Sequence, residues 1–179
     1  EVYAGLLSLP DNHATRAGFY ELECMRKQLN LAGLVAGLEK FDSSQLTRQS
    51  MLQQMEVYKF WELAQKKDWQ RLNSLAVEWE TKRLPVSLRA QVEYCNGLAL
   101  EALGRPLEAL DAFARALAAD FTKSEEINRS AVPAALRVYA SLPEVKAAKE
   151  QWGMSSEDKN SKGRTLLLEA NSLARLYEK

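Results

Sequence analysis

The chain has 179 residues, 46% apolar and 27% charged, and its 24 basic and 24 acidic side chains cancel to a formal net charge of zero. That composition suits one folded domain with a real core, or a few helical repeats, and argues against global disorder. Without a block of like charge there is no concentrated basic surface to neutralise phosphates, so non-specific nucleic-acid binding is not expected.

No window approaches the roughly 18 continuous apolar residues of a membrane span. The opening "EVYAGLLSLPDN" lacks the basic n-region of an intact signal peptide, and it begins with Glu1 rather than methionine, which points to a processed or excised chain. The compartment, cytoplasmic or exported, stays open.

Helical signals run from end to end. β-Branched residues are scattered and no Asn-Gly or Asp-Gly hairpin turn occurs. Pro10-Asp11-Asn12 precedes a helical run from about Ala14 to Leu29, Asn30 breaks it, and a shorter run, "LAGLVAGLEKF", follows. Asp42-Ser43-Ser44 is an N-cap cluster for a long helix from about Gln45 to Lys66. Lys67-Asp68 makes a tight turn into a helix with apolar Trp69, Leu72, Leu75, Ala76 and Trp79, ended by Pro85.

Ser87 can cap the next helix, which runs to Leu103 and is closed by Gly104 in a left-handed conformation. Pro106 sits in the first turn of the following helix, where a missing N–H is harmless. After Phe121 come two more helices split at Leu142-Pro143, with Pro133 expected to start or kink the first. The polar string "MSSEDKNSKG" reads as a loop. A last amphipathic helix carries Leu166, Leu167, Ala170, Leu173, Ala174 and Leu176.

The turns recur at nearly constant spacing. Leu31 to Trp69 is 38 residues, Trp69 to Pro106 is 37, and Pro106 to Pro143 is 37. Four helical hairpins so spaced indicate a solenoid, in which each pair buries its apolar face against the next. The spacing gives one domain over 1–179 with units at about 11–41, 44–85, 87–121 and 124–152, and a capping helix at 163–178.

One unit carries a family resemblance. Gly97, Gly104, Ala109, Phe113 and Ala116-Leu117, within about Ala90 to Thr122, resemble the tetratricopeptide repeat, whose small residues mark helix crossings and whose aromatic plugs the space beside them. The preceding unit has Phe60, Leu72 and Trp79 where Gly97, Ala109 and Ala116 stand, and the first and last units keep only the turn and the amphipathicity. The resemblance implies an all-α fold of antiparallel hairpins stacked as a right-handed superhelix of about eight or nine helices.

It also implies that the first helix of each pair lines a concave groove. Gln54, Val57, Tyr58, Trp61 and Gln65 would come from one helix, and Gln91, Tyr94, Leu98 and Glu101 from the next. Tyr58, Trp61, Gln65, Gln91, Tyr94, Leu98 and Glu101 are therefore the candidate partner-binding residues, with the three aromatics as an exposed patch suited to a peptide or partner helix. The competing reading packs Trp61 and at least one tyrosine between helices. The carboxylate clamp of one subset of the family is absent, because Cys95, Leu98, Tyr58 and Trp61 occupy the corresponding places.

Nothing in the sequence assembles a catalytic site. His13 is the sole histidine and has no cysteine or serine partner at a telling spacing. Cys24 and Cys95 read as buried free thiols, a long-range disulfide being the alternative, and zinc is not expected. Glu56, Glu62, Glu78, Glu80, Glu125 and Glu126 read as solvated faces. The expectation is a non-enzymatic module with no cofactor or metal, holding a protein or peptide and not a nucleic acid or a membrane. A structural segment of a longer repeat protein, with Val2, Leu6 and Leu7 packing upstream, and a dimeric secretion-type chaperone are the alternatives.

Overall fold

Alanine, leucine and straight-chain charged residues lose little side-chain freedom in a helix, and this chain is rich in them. The computed structural model describes residues 13–119, 125–152 and 161–177, and every regular element among them is helical. The α-helices are α1 (His13–Lys27), α2 (Leu31–Leu38), α3 (Gln49–Lys66), α4 (Trp69–Glu78), α5 (Val86–Ala102), α6 (Pro106–Ala119), α7 (Glu125–Ser141), α8 (Pro143–Glu150) and α9 (Ser161–Tyr177), with a 3-10 turn at Ser43–Gln45. The protein is all-α over the described residues.

Three interhelical turns share one construction. Leu29, Lys67 and Gly104 adopt positive φ of 54°, 56° and 74°. At each, the left-handed residue donates to the carbonyl three back, at Arg26, Ala64 and Glu101, and the next residue donates to the carbonyl five back, at Met25, Leu63 and Leu100. This paired bonding satisfies carbonyls that a helix end would otherwise orphan. Asn30, Asp68 and Arg105 then accept the first helical bond from Leu34, Leu72 and Ala109, all fully buried. The fourth turn differs: Leu142 is extended, with φ −65° and ψ 129°, and Pro143 opens α8.

Several boundaries depart from the sequence reading. Asp42 caps only the 3-10 turn, accepting from Ser44 N at 2.9 Å, and α3 begins at Gln49 after an extended, buried Leu46. Burying Leu46 draws the chain inward before the long helix can start. α4 ends at Glu78, well short of Pro85, because Arg89 reaches back to the carbonyls of Trp79, Glu80 and Lys82. Pro85 itself stands at the N-cap of α5, so Ser87 lies inside that helix.

α7 runs unbroken through Pro133, and α9 starts at Ser161, taking in the end of the expected loop. Cys24 is exposed rather than buried, whereas Cys95 is buried, and neither forms a disulfide among the described residues. Pro10-Asp11-Asn12, the N-terminal apolar residues Val2, Leu6 and Leu7, Phe121 and the first part of the 154–163 string lie outside the described residues.

The chain divides into two compact units, 1–72 and 73–179, with the division inside α4. In the first, α2 packs on α1 and α3. Phe19 of α1 meets Tyr58 of α3 at 6.3 Å between ring centroids, and the Arg26 guanidinium lies 5.9 Å over the Trp61 ring. In the second, α5 packs on α6 and α7, α6 on α7, and α7 and α8 on α9. Its centre is Phe113, fully buried, whose ring occupies the space a side chain at Gly97 would need. Ala109, Ala112 and Ala116 on the same helix are also fully buried. Small residues there admit neighbouring helices at close range.

Candidate functional site

On α3, the expected groove residues Gln54, Val57, Tyr58 and Trp61 are buried, Tyr58 at 0% and Trp61 at 1% exposure. Buried positions Met51, Gln54, Val57, Tyr58, Phe60, Trp61 and Ala64 spread over about half the helix circumference, wider than the stripe of an ordinary surface helix. Tyr58 and Trp61 are taken up by Phe19 and Arg26 of α1. The aromatic patch expected in the open is therefore core on this helix. Gln65 alone of its candidates is exposed.

α5 is more enclosed still. Every residue from Ala90 to Gly97 is buried, including Gln91 and Tyr94, as befits a helix surrounded on all sides. Buried polar groups need partners, and they have them. Glu93 accepts from Arg115 Nε of α6 at 3.0 Å, and Asn96 accepts from Asn73 at 2.8 Å. Tyr94 packs against Phe113 at 6.0 Å, and burial foremost, then the neighbouring Cys95, pushes its hydroxyl up to about 12 despite a hydrogen bond with Ser130. Leu98 and Glu101 are half-buried.

Glu101 is held by Arg137 of α7, which donates to it through Nε at 2.8 Å and Nη2 at 2.6 Å. The fork of the guanidinium matches the carboxylate, so the α5–α7 face is bridged by an ion pair where an open carboxylate was expected. Glu101 and Arg137 stand 36 residues apart, close to one repeat period. That spacing is the signal in the sequence that pairs them.

The described residues also form a groove that the sequence reading missed. It has a volume of about 480 Å³ and lies between α6 (Leu110, Ala114, Leu117), α7 (Ala135, Tyr139) and α9 (Thr165, Leu168, Glu169, Ser172, Leu173). That is within the range of roughly 300–1,000 Å³ typical of ligand sites. Tyr139 donates from its hydroxyl to Glu169 at 3.1 Å, and burial, with Glu169 and Asp111 nearby, pushes the phenol up to about 12. Leu168 is 53% exposed on the rim.

Two of the groove's walls come from α6, the second helix of its hairpin, where the resemblance places the groove on first helices, and from α9, which the spacing makes a capping helix. The signal was Leu168. It is the third of three consecutive leucines and lies off the stripe that α9 buries through Leu167 and Ala170.

In the first unit a hollow of about 430 Å³ lies between α1 and α2, over Gly18, Gly33 and Gly37. Among the described residues no group of three or more His, Cys, Asp or Glu is placed to hold a metal ion. No described helix is long and apolar enough to cross a membrane. Comparison with known proteins finds no matching family model, no matching curated protein and no matching solved structure.

Proposed function

We propose that this chain is a non-catalytic interaction module whose hairpins stack as a right-handed, tetratricopeptide-like superhelix and hold a peptide or helix of another protein. The observation that carries this reading is the recurring turn, with left-handed residues at 29, 67 and 104, spaced 38 and 37 residues apart. Each is followed by the same capping bond into a fully buried position of the next helix. Within the second unit, α5 and α7 each pack on the two helices that follow them, as successive members of a repeat array do.

Binding would fall to the exposed parts of the array. Of the residues expected in the groove, Gln65 is exposed and Leu98 and Glu101 are half-buried, whereas Tyr58, Trp61, Gln91 and Tyr94 belong to the core of their own units. Affinity capture with the immobilised chain, followed by mass spectrometry, tests the reading. A partner retained stoichiometrically and released by its own competing peptide is the expected result. Retention of nothing beyond a bare-matrix control would sink the proposal.

A further inference from the structure

The groove between α6, α7 and α9 has the shape of a helix-docking site. Its lining runs along α9 from Thr165 to Leu173, eight steps or about 12 Å at the rise of an α-helix. Two to three turns of an incoming helix would cover that length, with apolar anchors at intervals of three and four residues. Ala135 keeps the floor low, and leucines stand on both walls.

Charge says what kind of helix fits. In the second unit, Glu93, Glu101, Glu108 and Glu144 each hold an arginine or lysine. Asp111 on α6 and Glu169 on α9 hold none among the described residues, and Glu169 meets only the Tyr139 hydroxyl. The cations nearest in sequence are engaged elsewhere or lie past the groove. Arg105 and Arg115 of α6 pair with Glu108 and Glu93, Arg137 of α7 pairs with Glu101, Arg164 of α9 stands over the Trp152 ring, and Arg175 follows the last lining residue of α9. An apolar trough with two unneutralised carboxylates favours an apolar face flanked by positive charge.

We propose that this groove docks a basic amphipathic helix of a partner protein, whose apolar stripe covers Leu110, Leu117, Leu168 and Leu173 and whose arginines or lysines pair with Asp111 and Glu169. The inference rests on the interaction-module reading and adds the place and the chemistry of the partner.

The test uses the full chain and three synthetic four-turn helices. One has a leucine stripe flanked by arginines, the second has glutamates in place of the arginines, and the third has the arginine sequence scrambled. Fluorescence anisotropy should show the arginine helix binding at least about tenfold more tightly than the glutamate helix, with the gap narrowing at high salt.

Leu168→Ser should weaken the arginine helix by about tenfold or more, since an exposed anchor that the docked helix would cover is lost. Asp111→Asn and Glu169→Gln should each weaken it several-fold without shifting the melting temperature. These two exposed sites carry the test if Leu168→Ser fails to fold. The proposal is overturned if the arginine helix does not bind the folded chain, if either control binds as well, or if none of the three substitutions matters. Sedimentation showing a dimer that Leu168→Ser dissociates would also overturn it, assigning the groove to a second copy. A natural partner captured by the chain but indifferent to all three substitutions would refute the groove and leave the interaction-module reading standing.

Discussion

The α1–α2 and α5–α6 hairpins solve the same packing problem with different tolerance. Each turns on a left-handed residue, Leu29 in one and Gly104 in the other, and each sets a large side chain against a glycine. At Gly37 of α2 the neighbour is the Leu22 δ-methyl, 2.7 Å from where a Cβ would stand, the free end of a flexible side chain. At Gly97 of α5 it is the Phe113 ring, with Cδ1 at 2.6 Å and Cζ at 2.9 Å, held by Tyr94 and enclosed by buried alanines. A leucine can turn aside and an enclosed ring cannot. The same glycine motif is therefore forgiving at one end of the chain and exacting in the middle.

The sharpest way to break that contrast is to empty the middle. Phe113→Ala should cost about 3–5 kcal/mol, as removal of a fully enclosed ring does, read as a drop in the urea midpoint. Filling the glycine comes next. Gly97→Ala should cost about 1–3 kcal/mol through overpacking, whereas Gly37→Ala should be nearly neutral, since Leu22 gives way and alanine recovers up to about 1 kcal/mol of helix propensity. Equal losses at the two glycines would erase the distinction.

Alkaline titration probes the same core. The folded state holds the Tyr94 hydroxyl up to about 12, against the 10.0 of an ordinary tyrosine. The unfolded chain therefore loses that proton first, and the contribution of this hydroxyl to stability, constant below about pH 10, falls as pH rises towards 12, by about 2 kcal/mol. Tyr94→Phe should make that stretch of the curve shallower, leaving the share of Tyr139, whose phenol is held equally high, measured by denaturation at successive pH values.

The turns then separate by sign. Gly104→Ala should cost about 1 kcal/mol at φ 74°, although nothing lies within 4 Å of the added Cβ, and Leu29→Gly or Lys67→Gly should gain up to about 1 kcal/mol by relieving the left-handed penalty. Calorimetric melting temperatures moving in opposite directions are the expected outcome. The smallest effect belongs to Glu101→Gln. It loosens a half-exposed ion pair and should cost only a few tenths of a kcal/mol, less at high salt.

Much of the fold was legible in the residues themselves. The 37-residue recurrence and the Gly104 turn follow from turn chemistry and helical spacing, which act over a few residues. The resemblance supplied Gly97 as a small residue at a crossing and Phe113 as a plug, without saying that the two meet. Helix starts were less legible. At Asp42 and Ser87 good capping residues were passed over, because the burial of Leu46 and the reach of Arg89 outweighed a cap of about 1 kcal/mol.

The site was the least legible. Helical periodicity shows which residues share a face of α3, but not that Phe19 and Arg26 already occupy that face, nor that Glu101 meets Arg137.

The sequence by itself determined that this chain is helical and where most of its hairpins turn. Only the tertiary structure decided which apolar faces are spent inside and which stay open. Tyr58, Trp61 and Tyr94 went inward, and the Leu168 face of α9 stayed at the surface. The physical reason is that a stripe fixes the direction of burial along one helix, whereas exposure depends on how many other helices arrive there. That number is set by contacts between residues far apart in the chain.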